Sequence, residues 1–138
     1  MAGTGARYFF LFAIGLVVGI VATVMGLRAW NARQDPFPAA LMHVQGYHFK
    51  QLRDDIQANR CNATDVLPHL SALRSTASDL ESAFPDLKDD ARFAKAASNF
   101  RATLDDARAN PPLNCEGLGV VVKKVDDACK ACHQDFRN

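Results

Sequence analysis

The chain has 138 residues, enough for one globular domain, with 49% apolar and 22% charged side chains and a formal net charge of +1. These values are ordinary for a folded protein. With residues 1–35 set aside the remainder carries thirteen basic and fourteen acidic side chains, and nothing in it suggests the clustered basic face that nucleic-acid binding needs.

From Tyr8 to Leu27 the sequence reads YFFLFAIGLVVGIVATVMGL, an uncharged run bounded by Arg7 and Arg28 and followed by Trp30. As a helix it crosses a hydrocarbon core of roughly 30 Å. The run is longer than a usual signal-peptide apolar region and no small-x-small cleavage site follows it cleanly. Residues 1–28 are therefore expected to remain as a single transmembrane anchor in the lipid bilayer, against the competing reading of a cleaved secretory signal. Charge does not orient this anchor, because Arg7 and the amino terminus stand on one side while Arg28 and Arg33 stand on the other. Gly15 and Gly19 form a G-x-x-x-G pair that can pack two membrane helices together, but the motif is common in apolar helices. Residues 29–36 read as a short stiff linker, since Pro36 and Pro38 each disfavour helix at the preceding residue.

Four helical segments follow. The first, about 37–58, places Leu41, Val44, His48, Leu52 and Ile56 on one side at three- and four-residue steps, and Asn59 and Arg60 end it. The second starts near Thr64 as N-cap and carries the stripe Val66, Leu70, Leu73, Ala77, Leu80 and Phe84 until Pro85. The third starts at Asp89 or Asp90 and repeats the pattern with Phe93, Ala97, Phe100, Leu104 and Ala107 until Asn110-Pro111-Pro112. The fourth starts near Glu116 and carries Leu118, Val122, Val125, Cys129 and Cys132. No run alternates with period two, so the expected fold is all-α: an antiparallel up-down-up-down four-helix bundle over residues 37–138.

Cys129-Lys130-Ala131-Cys132-His133 is a C-x-x-C-H motif, the attachment signature of c-type haem. Residues i, i+3 and i+4 share one helix face, so both thiols can bond the vinyl carbons of one porphyrin while the imidazole points at its iron. A redox dithiol normally opens a helix in a βα unit, where the helix dipole lowers the thiol pKa. Zinc needs a fourth ligand and usually a second cysteine pair, and the sequence has no second C-x-x-C. One covalent haem c is the expected cofactor.

The ending CKACHQDFR on the last helix of such a bundle resembles the class II c-type cytochromes, the cytochrome c prime group. LMHVQGYHFKQL in the first helix is similar to that family's first helix, where an HF pair follows the iron-facing residue by six positions. Counting back six from His48 reaches Met42. The resemblance covers roughly residues 37–138 and implies that Met42 is the second axial ligand of His133-bound iron, as in the low-spin electron-carrying members. Leucine or another non-ligand there would leave the iron face open.

Geometry points the same way. Met42 lies about one turn into the first helix and His133 about one turn from the end of the fourth, so an up-down-up-down bundle sets them at one height. The competing reading of Met42 is core filler. His48 faces inward about 9 Å farther along the axis, as a hydrogen-bonded core residue or haem neighbour. His43 turns toward solvent, and His69 begins the second segment at the far end. Arg137 is either a haem propionate contact or a solvated charge favoured by the helix dipole.

Cys61 and Cys115 fall in two loops that this topology puts at the same end, so they are expected to form a disulfide rather than remain free thiols. Haem attachment and disulfides both belong to the bacterial periplasm, which orients the anchor in the inner membrane with its amino terminus in the cytoplasm. Asn62-Ala63-Thr64 fits a glycosylation pattern, but in that setting it reads as a helix start.

Iron held by histidine and methionine has no free position for substrate and a raised potential. The expected function is therefore a membrane-tethered one-electron carrier between respiratory or photosynthetic complexes, and not an enzyme. The bundle meets the anchor at its Met42 and His133 end, which should bring the haem near the membrane surface. Two alternatives are a five-coordinate gas-binding protein in which Met42 only covers the distal face, and a structural haem subunit of a larger membrane complex or a homodimer.

Overall fold

The structure, a computed structural model, describes residues 3–31 and 35–136, so Arg33 and Arg137 lie outside the described residues. Among the described residues all regular structure is helical and no strand occurs. In chain order the helices are α1 (Thr4–Asn31), α2 (Phe37–Gln57), α3 (Ala63–Thr76), α4 (Leu80–Ala83), α5 (Ala91–Ala109) and α6 (Cys115–Phe136). Short 3-10 turns occupy Ala77–Asp79 and Pro85–Leu87. The chain divides into two compact units between residues 36 and 37.

In the first unit, Gly5–Asn31 is long and apolar enough to cross a membrane. Its large apolar side chains, from Tyr8 through Trp30, are all exposed. Such a surface is costly in water and costs little in lipid. The helix outlasts the expected anchor: residues 29–31, assigned to the linker by sequence, are helical. Pro36 restricts only the residue before it, so it does not stop a helix five residues upstream.

The second unit is built on the four expected periodic segments. α2 ends where Asn59 takes φ 55, a left-handed conformation that asparagine tolerates. The Arg60 amide then donates back to the Asp55 carbonyl at 2.9 Å, closing a Schellman-type stop. The cap of α3 is Asn62, not the expected Thr64. The Asn62 Oδ1 accepts from the amides of Thr64 at 3.1 Å and Asp65 at 3.2 Å, so one asparagine satisfies two orphan donors and starts the helix earlier. Asp90 caps α5 in the same way, accepting from the amides of Arg92 and Phe93.

The second segment is not one continuous α-helix. After Thr76 it tightens into the 3-10 turn Ala77–Asp79 before α4. The run Ser75-Thr76-Ala77-Ser78 is weak in helix propensity, and the Thr76 hydroxyl donates back to the carbonyls of Ala72 and Leu73, which competes with the regular ladder. Arg101 of α5 steadies the tightened stretch by donating to the Ala77 carbonyl at 3.2 Å and pairing with Glu81 at 2.8 Å.

α2 packs on α3 and α6, and α5 packs on α3 and α6. Their shared core centres on the fully buried Leu52, Val66, Leu70, Leu73, Leu104 and Leu118. Each such side chain contributes about 1.5–3 kcal/mol relative to exposure. The expected stripe of α5 is buried at every position from Phe93 to Ala107. The expected stripe of α2 is not: Val44 is 43% exposed, whereas Gln45 and Asp55 are buried. Asp55 is held by Arg60 Nη2, which donates to its Oδ1 at 2.9 Å.

Candidate cofactor site

α6 carries the C-x-x-C-H motif in its last turns, with Cys129 and Cys132 half-buried and His133 exposed. Phe136, one turn beyond Cys132, fixes this end of the helix. Its ring meets Phe93 of α5 edge-on with centroids 5.5 Å apart, and Phe93 meets Phe84 at 6.0 Å. The Arg92 guanidinium lies over the Phe136 ring, 5.5 Å from its centroid. Aromatic pairs of this geometry contribute about 0.5–1.5 kcal/mol beyond area, so the helix end that bears His133 is anchored rather than frayed.

Cys129, Cys132 and His133 line one cavity of about 250 Å³ together with Met42, Gln45 and Phe49 of α2. Residues 42, 45, 46 and 49 recur at helical spacing, so one face of α2 supplies the wall opposite the motif. Gly46 belongs to that wall, and a Cβ there would meet nothing within 4 Å. Leu73, Leu80 and Phe100 add to a predominantly apolar lining. His133 and Lys130, both exposed, mark where the cavity reaches the surface.

This donor set fits a covalently held porphyrin. Two thiols and an imidazole at i, i+3 and i+4 face one apolar space, and a thioether faces the same space from another helix. Were a haem attached at Cys129 and Cys132, His133 and Met42 are the side chains that would hold its iron. A bare ion is another matter: among the described residues no group of three or more His, Cys, Asp or Glu side chains converges to hold one. The thiols also lack the character of an exchange dithiol. Burial first, then the charge of Asp126 and the neighbouring Cys132, pushes Cys129 up to about 11. Burial, then Asp135, raises Cys132 as well. Both are neutral thiols at pH 7, whereas dithiol exchange relies on a depressed pKa.

The other histidines stand apart from the cavity. His43 is exposed, as expected. His69 does not lie at the far end of the unit; it sits in the middle of α3 with its Nδ1 3.0 Å from the Nδ1 of His48. The expected second helix runs on to Phe84; because α3 ends at Thr76, His69 falls midway along it. The ring centroids are 5.3 Å apart, so the rings meet end-on, and one neutral ring donates its N–H to the other's lone pair. Burial, then the charge of His69, holds His48 below the ordinary value of 6.5. A histidine with a lowered folded pKa takes up a proton more readily when unfolded, so its contribution is intact above 6.5 and declines as pH falls below it. The melting temperature should therefore drop between about pH 7.5 and about pH 5.5, and drop less in His48→Gln. Equal slopes in the two proteins would remove His48 from the account.

Cys61 and Cys115 stand at disulfide-bonding distance, with Cα atoms 5.0 Å apart. The site residue that the sequence reading missed is Gln45. It occupies the buried stripe position given to Val44, and its spacing of three from Met42 was the available signal.

No protein-family model, curated protein or solved structure matches this chain.

Proposed function

We propose that residues 37–138 form an antiparallel up-down-up-down four-helix bundle of the class II c-type cytochrome kind, and that the chain is a membrane-tethered one-electron carrier. Cys129 and Cys132 would hold one haem c by thioether bonds, and His133 and Met42 are the side chains that would ligate its iron. The observation that carries this reading is the joint lining of one apolar cavity by the C-x-x-C-H residues of α6 and Met42 of α2.

When bound, the haem supplies an iron that gains and loses one electron. The residues of the chain set the conditions. An apolar wall would keep water from the centre, the thioether of Met42 would favour the reduced iron, and the exposed rim at His133 and Lys130 would leave an edge open to a redox partner. An N-terminal helix long and apolar enough for a bilayer confines diffusion to the plane of membrane complexes, so high effective concentration replaces tight binding. Respiratory or photosynthetic complexes are the partners this suits. The Cys61 and Cys115 pair supports a periplasmic bundle, with the amino terminus in the cytoplasm of a bacterial cell.

The test is optical. Oxidised and reduced spectra of the purified protein should show covalent, six-coordinate, low-spin haem that resists carbon monoxide. Met42→Leu is expected to give a high-spin spectrum and ready carbon monoxide binding. An unchanged spectrum in that variant rules out Met42 as ligand and leaves His133 to be paired with something else.

A further inference from the structure

Gln45 is 9% exposed, and its Nε2 is buried without any hydrogen-bond partner. A buried amide left unpaired is costly, and folded proteins rarely tolerate one without a reason. Its place supplies the reason. Gln45 lines the same cavity as Met42, Cys129 and His133, one helical turn beyond Met42 on the same face of α2.

Resting on the haem reading above, we infer that Gln45 is the hydrogen-bond donor on the Met42 side of the iron. Its Nε2–H donates to whichever acceptor atom occupies the axial position opposite His133. In the unaltered protein that atom is the Met42 sulfur, a weak acceptor; with Met42 removed it is a small anion, a strong one.

The experiment opens the position and reads the donor through two ligands of different acceptor strength. Ferric haem-loaded Met42→Ala protein is titrated with fluoride, and the same titration is made on Met42→Ala/Gln45→Leu. Ferrous samples of both are titrated with carbon monoxide, a neutral and poor acceptor. Leucine at position 45 keeps helix propensity and removes an unpaired donor, so the variant folds. Fluoride affinity is expected to fall at least tenfold on loss of the amide, with carbon monoxide affinity unchanged within twofold. Equal fluoride affinities overturn the assignment, as does a parallel loss for both ligands, which marks collapse of the cavity instead. Absence of covalent haem by mass is a different result: it defeats the haem reading itself, and the role of Gln45 with it.

Discussion

On the haem reading, changing Cys129 and Cys132 together to alanine is expected to leave the mature chain lighter by one haem and colourless, with the helical circular dichroism of the bundle largely retained. Among the described residues these two are the cysteines outside the disulfide pair, and both line the cavity with His133. Without thioether bonds, axial ligation alone would have to retain the group, and half of it would rest on an exposed histidine in the last turns of α6. Cys129 and Cys132 pack against the edge of the core, not its centre. Leu52, Leu70, Leu104 and Leu118 are fully buried and lie two turns or more from either cysteine in sequence, so the helices still pack. The variant should nonetheless melt lower, because losing the haem would remove contacts and axial bonds made only in the folded state and leave an apolar cavity in place. Each single variant keeps one thioether and is expected to hold haem in reduced yield. Intact mass is the deciding measurement: a double variant that still carries covalent haem moves the attachment away from α6.

Much of this was legible because hydrophobic period and cap chemistry act locally. The stripe from Phe93 to Ala107 reads directly as the buried face of α5, since every position is apolar and the helix is unbroken. The C-x-x-C-H motif is equally local, its geometry fixed by helical spacing within five residues. Three features depended on competition that a pattern does not reveal. Asn62 outcompetes Thr64 as cap because its side chain reaches two amides at once. The break at Ala77 comes from a threonine hydroxyl bonding backward and an arginine arriving from α5. Most instructive is the exchange of Val44 for Gln45 on the inner face of α2. A hydropathy pattern assigns the apolar neighbour to the core, yet a polar side chain is stable there if the space it faces holds an acceptor. The cavity is the information missing from the sequence pattern, and only the juxtaposition of α2 with α6 creates it.

Cys61→Ser/Cys115→Ser is expected to lower the free energy of unfolding by about 4 kcal/mol while leaving the haem spectrum unchanged. The size follows from the loop enclosed. The two cysteines are 54 residues apart in sequence, and on the chain-entropy account a crosslink of that span removes this much freedom from the unfolded chain. The joint also falls where both ends are already ordered. Asn59 and Arg60 close α2, Asn62 caps α3, and the Asn114 side chain accepts from the Gly117 amide at 2.8 Å to cap α6. Cys61 is buried at that junction, so little further ordering is needed to hold the pair. The spectrum should not respond, because Cys129 lies fourteen residues along α6 from Cys115, about 21 Å at 1.5 Å per residue. Urea unfolding of the detergent-solubilised full chain, followed by circular dichroism with and without reductant, makes the comparison. Reductant should move the parent protein to the midpoint of the double variant and leave the variant where it is. A difference below about 1 kcal/mol would mean that the capped loops hold these helix ends together without the crosslink.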